Sequence, residues 1–335
     1  MEGEVRKVQL TGGATLIVSL PKEWARRTNL SPGDEVLIVP QPDNTLVLIP
    51  RKLGRRASLA VELSVDEKMS LEELEKIFMS VYIAGAEVIV FKFAQGATQL
   101  RKYLKDFVRR RVIDMEITEE SSDKLVVQAM VAATELAVND VVLKMLKLAD
   151  NMLIDLIKGL DSDNIDLLKD VTDRDDEVDR LYWLVERQLK RAAMSRYIML
   201  ELKVDDPRDL VEYTIIAKSI ERIADHICKI SYINQEEKID LRIVKPILEK
   251  AVEYMGTLLE FLGGNLDDMK LTALYKELTD WSLKMRKEMI LSDPATSLAR
   301  DSAVRINEYI SDILESLLHI RLKNFQKLGV EAQRQ

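Results

Sequence analysis

The chain has 335 residues, 47% apolar and 32% charged, with a formal net charge of −8. That mixture excludes a disordered chain, and the length exceeds what one ordinary core organises, so two or three domains are expected. The acidic balance excludes a protein that coats nucleic acid along its whole length, while leaving room for local basic patches.

Five of the eight prolines fall at or before Pro50, and the other three, Pro207, Pro246 and Pro294, sit where helical patterns begin. Proline thus punctuates two architectures. Residues 1–52 read as short strands, Val5 to Leu10, Thr15 to Leu20, Glu35 to Val39 and Thr45 to Ile49, with a hairpin turn at Asp43-Asn44. Pro21 to Leu30 reads as a short helix, and Ser31-Pro32-Gly33-Asp34 turns the chain back. So small a unit cannot bury enough surface alone, which predicts that two copies share a core in a homodimer.

A basic linker, Arg51-Lys52-Leu53-Gly54-Arg55-Arg56, leads into residues 57–131. Here the pattern predicts a strand (Leu59 to Val65), a helix (Leu71 to Ala84) capped by Ser70, and a strand (Val88 to Phe93). A second helix (Thr98 to Arg110) and a hairpin (Val112 to Thr118, Lys124 to Val131) follow. This is a small α/β segment for which a ferredoxin-like order is expected. From about Ala133 the pattern changes to six long helices, broken near 159–162, 205–207, 234–238, 263–264 and 293–294. They divide into two sets of three, residues 133–235 and 239–325, consistent with a duplicated three-helix bundle. In the third helix Ile216, Ile220, Ile223, Ile227 and Ile230 step by four and three, the seam of a bundle.

No stretch approaches the roughly 18 uncharged apolar residues needed to cross a bilayer, and the chain opens Met1-Glu2-Gly3-Glu4. The cytoplasm is therefore the expected location, with no direct membrane insertion. Cys228 is the single cysteine, so an intramolecular disulfide and a thiolate zinc cage are excluded. With only His226 and His319 available, a metal site would use mostly oxygen. Two acidic pairs offer it: Asp175 and Asp179 on the second helix, Glu221 and Asp225 on the third, each one turn apart on one helix face. Glu221 and Asp225 fall almost opposite the isoleucine seam, so they are expected on the outside of the bundle.

Like charges at that spacing destabilise a helix by roughly 0.2–0.5 kcal/mol. Two readings fit the spacing equally. In one, a hard cation such as Mg, Mn or Fe bridges the two helices; in the other, the acids form a solvated face relieved by Lys218, Arg222 and Lys229. A di-iron oxidase would need inward Glu-x-x-His motifs, and neither histidine sits in one. His226 reads as a packing or hydrogen-bonding residue, and His319 falls in a late apolar stripe. No phosphate-cradling glycine loop or nucleophile elbow is present, and Cys228 reads as core.

The run Glu221-Arg222-Ile223-Ala224-Asp225-His226-Ile227-Cys228-Lys229-Ile230 resembles the Glu-Arg-Ile-Gly-Asp-His-x-x-Asn-Ile motif of the PhoU phosphate-uptake regulators. Asp175-Asp176-Glu177-Val178-Asp179 resembles that family's partner motif. The likeness spans about 130–325. It implies two three-helix bundles and Asp175, Asp179, Glu221 and Asp225 as ligands of a divalent or trivalent metal ion (Mg, Mn, Fe or Zn). It also implies repression of phosphate-starvation signalling through contact with a phosphate transporter or its sensor kinase. Two departures stand out. Lys229 replaces the family's Asn, and in the second bundle Val304-Arg305-Ile306-Asn307-Glu308 keeps Arg305 and Glu308 but lacks the first acid.

The N-terminus resembles the swapped-hairpin fold of AbrB-type transcription factors through Val5-Arg6-Lys7-Val8, Leu20-Pro21-Lys22-Glu23-Trp24-Ala25-Arg26-Arg27 and Gly33-Asp34-Glu35-Val36. That resemblance implies dimerisation by strand exchange and binding of double-stranded DNA through Arg6, Lys7, Lys22, Arg26 and Arg27, mainly on phosphates. The loop arginine common to that family is replaced by Gly13-Ala14.

The expectation is a multidomain, mainly α protein with an all-β swapped-hairpin head and a small α/β middle segment, acting as a dimeric, non-enzymatic regulator of phosphate uptake. An adaptor that gates a phosphate transporter without touching DNA is the alternative, and a di-metal carboxylate oxidoreductase the more distant one.

Overall fold

The computed structural model describes residues 3–41, 43–53, 59–130, 136–264, 268–287 and 293–322. The chain divides into two compact units, Met1–Ser58 and Leu59–Gln335. Part of the basic linker, residues 54–56, lies outside the described residues, as do the ends of two predicted elements, at Val131 and beyond 322.

In the first unit β1 (Gln9–Thr11) pairs antiparallel with β2 (Thr15–Ile17), Leu10 opposite Leu16. The strands are shorter than the apolar runs suggest. Gly12 and Gly13 join them at φ 57° and 87°, a left-handed backbone that glycine adopts without penalty. Helix α1 (Lys22–Arg27) follows Pro21, and β3 (Val36–Pro40) pairs with β4 (Leu46–Pro50) as a second, separate ribbon. The predicted turn is present: Asp43 accepts from the Thr45 amide at 2.9 Å and its hydroxyl at 2.7 Å, and Asn44 takes φ 64°. Among the described residues of this unit only Pro50 is buried, and Leu10, Leu16, Ile38 and Leu46 are each more than half exposed.

The second unit opens with β5 (Ala60–Val65), α2 (Leu71–Ile83), β6 (Val88–Phe93), α3 (Thr98–Arg111), β7 (Met115–Glu120) and β8 (Lys124–Ala129). Ser70 and Glu73 form a reciprocal capping box that starts α2. Alternation along the strands turns Ile89, Phe91, Leu125 and Val127 toward the helices, where they meet Leu74, Phe78, Tyr82 and Leu104. The sheet order is β5-β6-β8-β7, with β5 and β6 parallel and the rest antiparallel. This mixed sheet departs from the ferredoxin-like order expected from the sequence. Two strand–helix units follow each other directly, so β6 docks beside β5 and the closing hairpin adds β8 to the open side of β6.

Among the described residues eight helices follow: α4 (Val138–Asp161), α5 (Ile165–Asp173), α6 (Asp175–Met194), α7 (Arg196–Glu201), α8 (Asp209–Glu236), α9 (Leu241–Leu262), α10 (Asp268–Lys287) and α11 (Pro294–Leu322). Six are long, as the periodicity predicts, while α5 and α7 are short spacers. The isoleucine seam of α8 is fully buried at all five positions, and each such side chain contributes roughly 1.5–3 kcal/mol of burial. Residues of α4, α6, α8, α9, α10 and α11 share one core, so the two helical triplets fold against each other through α8 and α11. No described helix is long and apolar enough to cross a membrane.

Candidate metal centre

Helix α6 starts where α5 stops because Arg174 reaches Asp155 at 2.9 Å and Asp170 at 2.6 Å, pinning the junction. Asp175, Asp176 and Glu177 then fill its first turn, where the positive end of the helix dipole favours negative charge. α6 packs along α8, and Lys218 sits 4.7 Å from the centre of the Tyr182 ring. This register brings Asp175 and Asp179 of α6 into electrostatic reach of Glu221 and Asp225 of α8.

Burial, then the charges of Asp179, Asp225 and Glu221, push the Asp175 carboxyl up to about 7. Burial, then Glu221 and Asp225, push Asp179 up to about 6, while Arg111 acts in the opposite direction. Asp175 Oδ1 and Glu221 Oε2 are buried with no hydrogen-bond partner. On α8 the acids are answered by neighbours: Lys218 donates to Glu221 at 2.7 Å and Arg222 to Asp225 at 3.0 Å. Asp175 and Asp179 form no ion pair among the described residues.

The side chain of Asp225 is 42% exposed and that of Glu221 only 13%. Glu221 is therefore largely covered rather than standing on the outside of the bundle as its helical angle suggests, with Asp179 and Tyr182 of α6 within electrostatic reach. The groove gathers the four charges without preforming a cage: among the described residues no three His, Cys, Asp or Glu side chains are gathered as a metal site. Lys218 and Arg222, three residues from their partners, hold the α8 carboxylates in their present orientations. The donor set itself is all carboxylate oxygen, with Asp175 Oδ1 buried and without a hydrogen bond and Glu221 Oε2 met only by Arg222 Nε at 3.7 Å, and it suits a hard cation.

His226, beside the groove, is half-buried with Nδ1 unpartnered, and its ring lies 5.8 Å from that of Tyr309. Burial, then Lys229, lowers its affinity for a proton. Cys228 is 5% exposed, and burial holds its thiol well above the usual range, so it is inert core. His319 faces outward rather than into the apolar stripe, its Nδ1 3.3 Å from Glu212. In the second triplet Arg305 meets Glu308 at 3.2 Å, echoing Arg222 and Asp225, but buried Val304 stands where Glu221 stands in the first.

In the first unit Arg6, Lys7, Lys22, Arg26 and Arg27 are all exposed. Lys22 and Arg26 lie one turn apart on α1, Arg26 is 3.5 Å from Glu23, and Arg6 contacts Glu4. Such exposed pairs hold their cations weakly.

Periodicity did not single out Arg187, Asp114 or Arg111. Arg187 on α6 is fully buried and donates to Asp114 at 2.7 Å and to the Tyr82 carbonyl at 2.6 Å, joining the α/β layer to the helical domain. Arg191 adds a bond to Glu87 at 2.7 Å, and Arg111 contacts Asp176, next to the groove. The available signal was two arginines one turn apart on a helix whose other faces are already accounted for.

Comparison with known families agrees with this layout. Residues 142–233 match the PhoU domain model, and residues 9–56 match that of the antidote-toxin recognition MazE bacterial antitoxin. No curated protein and no solved structure gives a match. All four groove carboxylates lie inside the first match and Lys22, Arg26 and Arg27 inside the second, so the chain carries a PhoU domain downstream of a MazE/AbrB-like domain.

Proposed function

We propose that this protein regulates phosphate homeostasis through protein contacts, with a cation held between α6 and α8 by Asp175, Asp179, Glu221 and Asp225. The observation that carries the reading is the position of the under-neutralised acidic groove within the PhoU domain. Among the described residues two acids of α6 lack ion-pair partners, and they sit above their ordinary range because of burial and the neighbouring carboxylate charges. A divalent or trivalent ion such as Mg, Mn, Fe or Zn relieves that repulsion and supplies a positive surface facing a partner; a phosphate transporter or its sensor kinase is the partner class. No redox or hydrolytic step is assigned to it.

The head is a homodimerisation module, a reading supported by the exposed Leu10, Leu16, Ile38 and Leu46 on ribbons that bury almost nothing by themselves. Arg6, Lys7, Lys22, Arg26 and Arg27 then make phosphate contacts to double-stranded DNA. The second reading, an adaptor gating a transporter without DNA, is favoured by Arg6 and Arg26 already facing Glu4 and Glu23.

The test joins elemental analysis of the purified protein with phosphate uptake in cells carrying wild type or Glu221→Ala/Asp225→Ala. Bound metal in the wild type alone, with uptake no longer repressed in the variant, is the expected result. Equal metal content in both proteins overturns the cation site, and unchanged uptake overturns its role.

A further inference from the structure

The acidic groove has a neighbour that belongs to neither of its helices. Arg111 is the last residue of α3, in the α/β layer, and its guanidinium contacts Asp176. Asp176 lies between the two α6 carboxylates of the groove, and the Arg111 charge reaches Asp179. The other cations at the groove, Lys218 and Arg222, come from α8 itself and sit three residues from their partners. Arg111 comes from a different part of the fold.

Its position is not left to a free surface side chain. Asp176, Trp183, Arg187 and Arg191 form one stripe of α6, spaced at seven, four and four, and this stripe holds the α/β layer. Trp183 packs on that layer's core, and Arg187 and Asp114, each 1% exposed at the side chain, meet at 2.7 Å. Arg191 reaches Glu87. Asp175 and Asp179 occupy the adjoining stripe toward α8. One rigid helix therefore carries the cation groove on one side and the docked layer on the next, with Arg111 bridging them.

We propose that Arg111 is a tethered counter-cation: a positioning residue, delivered by the α/β layer, that sets how tightly the groove holds a divalent ion. This rests on reading the four carboxylates as a cation site. A fixed positive charge beside the groove offsets part of the carboxylate repulsion and repels an incoming ion. The groove therefore stays folded when empty and binds its ion less tightly than four bare carboxylates would. Because the repulsion scales with ion charge, Arg111 disfavours multivalent ions most. Anything that shifts the α/β layer on α6 changes ion affinity, and ion binding in turn biases the layer.

The experiment is calorimetric titration of the chelator-treated full chain with Mn²⁺. Arg111→Ala is expected to bind about threefold to tenfold more tightly than wild type at low salt, the gain shrinking as salt screens it. Arg111→Lys, which keeps the charge, is expected to bind like wild type. Thermal unfolding of the ion-free proteins provides a reading independent of the ion: Arg111→Ala lowers the midpoint, and adding Asp179→Asn restores most of the loss. Equal Mn²⁺ affinity in wild type and Arg111→Ala overturns the role of Arg111 and leaves the cation site standing. No Mn²⁺ binding by either protein overturns the cation site, and the proposal with it.

Discussion

Replacing Asp175 by Asn should make the ion-free protein more stable at pH 8 than the wild type, and much less so at pH 5. The fold raises the Asp175 carboxyl from 3.8 to about 7. Between those values the folded state keeps a proton that the unfolded chain has released, so stability falls as pH rises. The contribution is fully present below about pH 4 and lost once pH passes about 7. A shift of about three units corresponds to about 4 kcal/mol at 1.36 kcal/mol per unit. Part of that shift is shared with Asp179, raised to about 6 by burial and the same α8 acids, and Asp175 is only partly buried, so solvent screens it; the single replacement therefore recovers less, about 2–3 kcal/mol. The assay is urea unfolding in chelator at pH 5, 6.5 and 8, followed by helical circular dichroism. The stability difference between Asp175→Asn and wild type should widen by about 2 kcal/mol or more across that range. Adding Mn²⁺ at pH 8 should stabilise the wild type and not the variant. Parallel pH profiles for the two proteins would refute the reasoning, since the Asp175 carboxyl would then hold its proton no more tightly in the folded protein than in the unfolded chain.

The buried junction between layer and bundle gives a second expectation: Asp114→Ala, leaving the Arg187 charge buried and unpaired, costs about 3–5 kcal/mol, whereas Asp114→Leu with Arg187→Met costs clearly less, read by a double-mutant unfolding cycle. Gly85 takes φ 96°, and a Cβ there would lie 2.7 Å from Arg191 Cγ. Gly85→Ala should therefore lose about 1–2 kcal/mol in thermal or urea unfolding. For the head, DNA affinity measured across a salt series should fall steeply, and Lys22→Ala with Arg26→Ala should flatten the logarithmic slope by about 2; a slope unchanged by the pair removes these residues from the interface. Leu10→Asp with Leu16→Asp should shift the protein toward monomer in sedimentation, with little change in the helical signal.

Helix periodicity made the bundle legible from one sequence. The seam Ile216, Ile220, Ile223, Ile227 and Ile230 is buried at every position, because a stripe at that spacing has nowhere to go but a core. Capping chemistry was equally local: Ser70 and Glu73 start α2, and Asp43-Asn44 turns the hairpin. The motif around Glu221 and Asp225 pointed to the PhoU domain found at 142–233. The strand order of the middle sheet was not legible, since alternation states which face a residue takes and says nothing of which strand lies beside it.

The acidic groove shows the same division. One-turn spacing put each carboxylate pair on a single helix face, and that much the amino-acid order determined. Only packing decided that Glu221 is covered while Asp225 stays half open, that Asp175 lacks a partner, and that Arg111, from a segment more than sixty residues away, stands beside the pair. Spacing along a helix is local geometry, whereas the charge felt by a carboxyl group depends on burial and on every ion within several ångströms, and those neighbours are chosen by the fold.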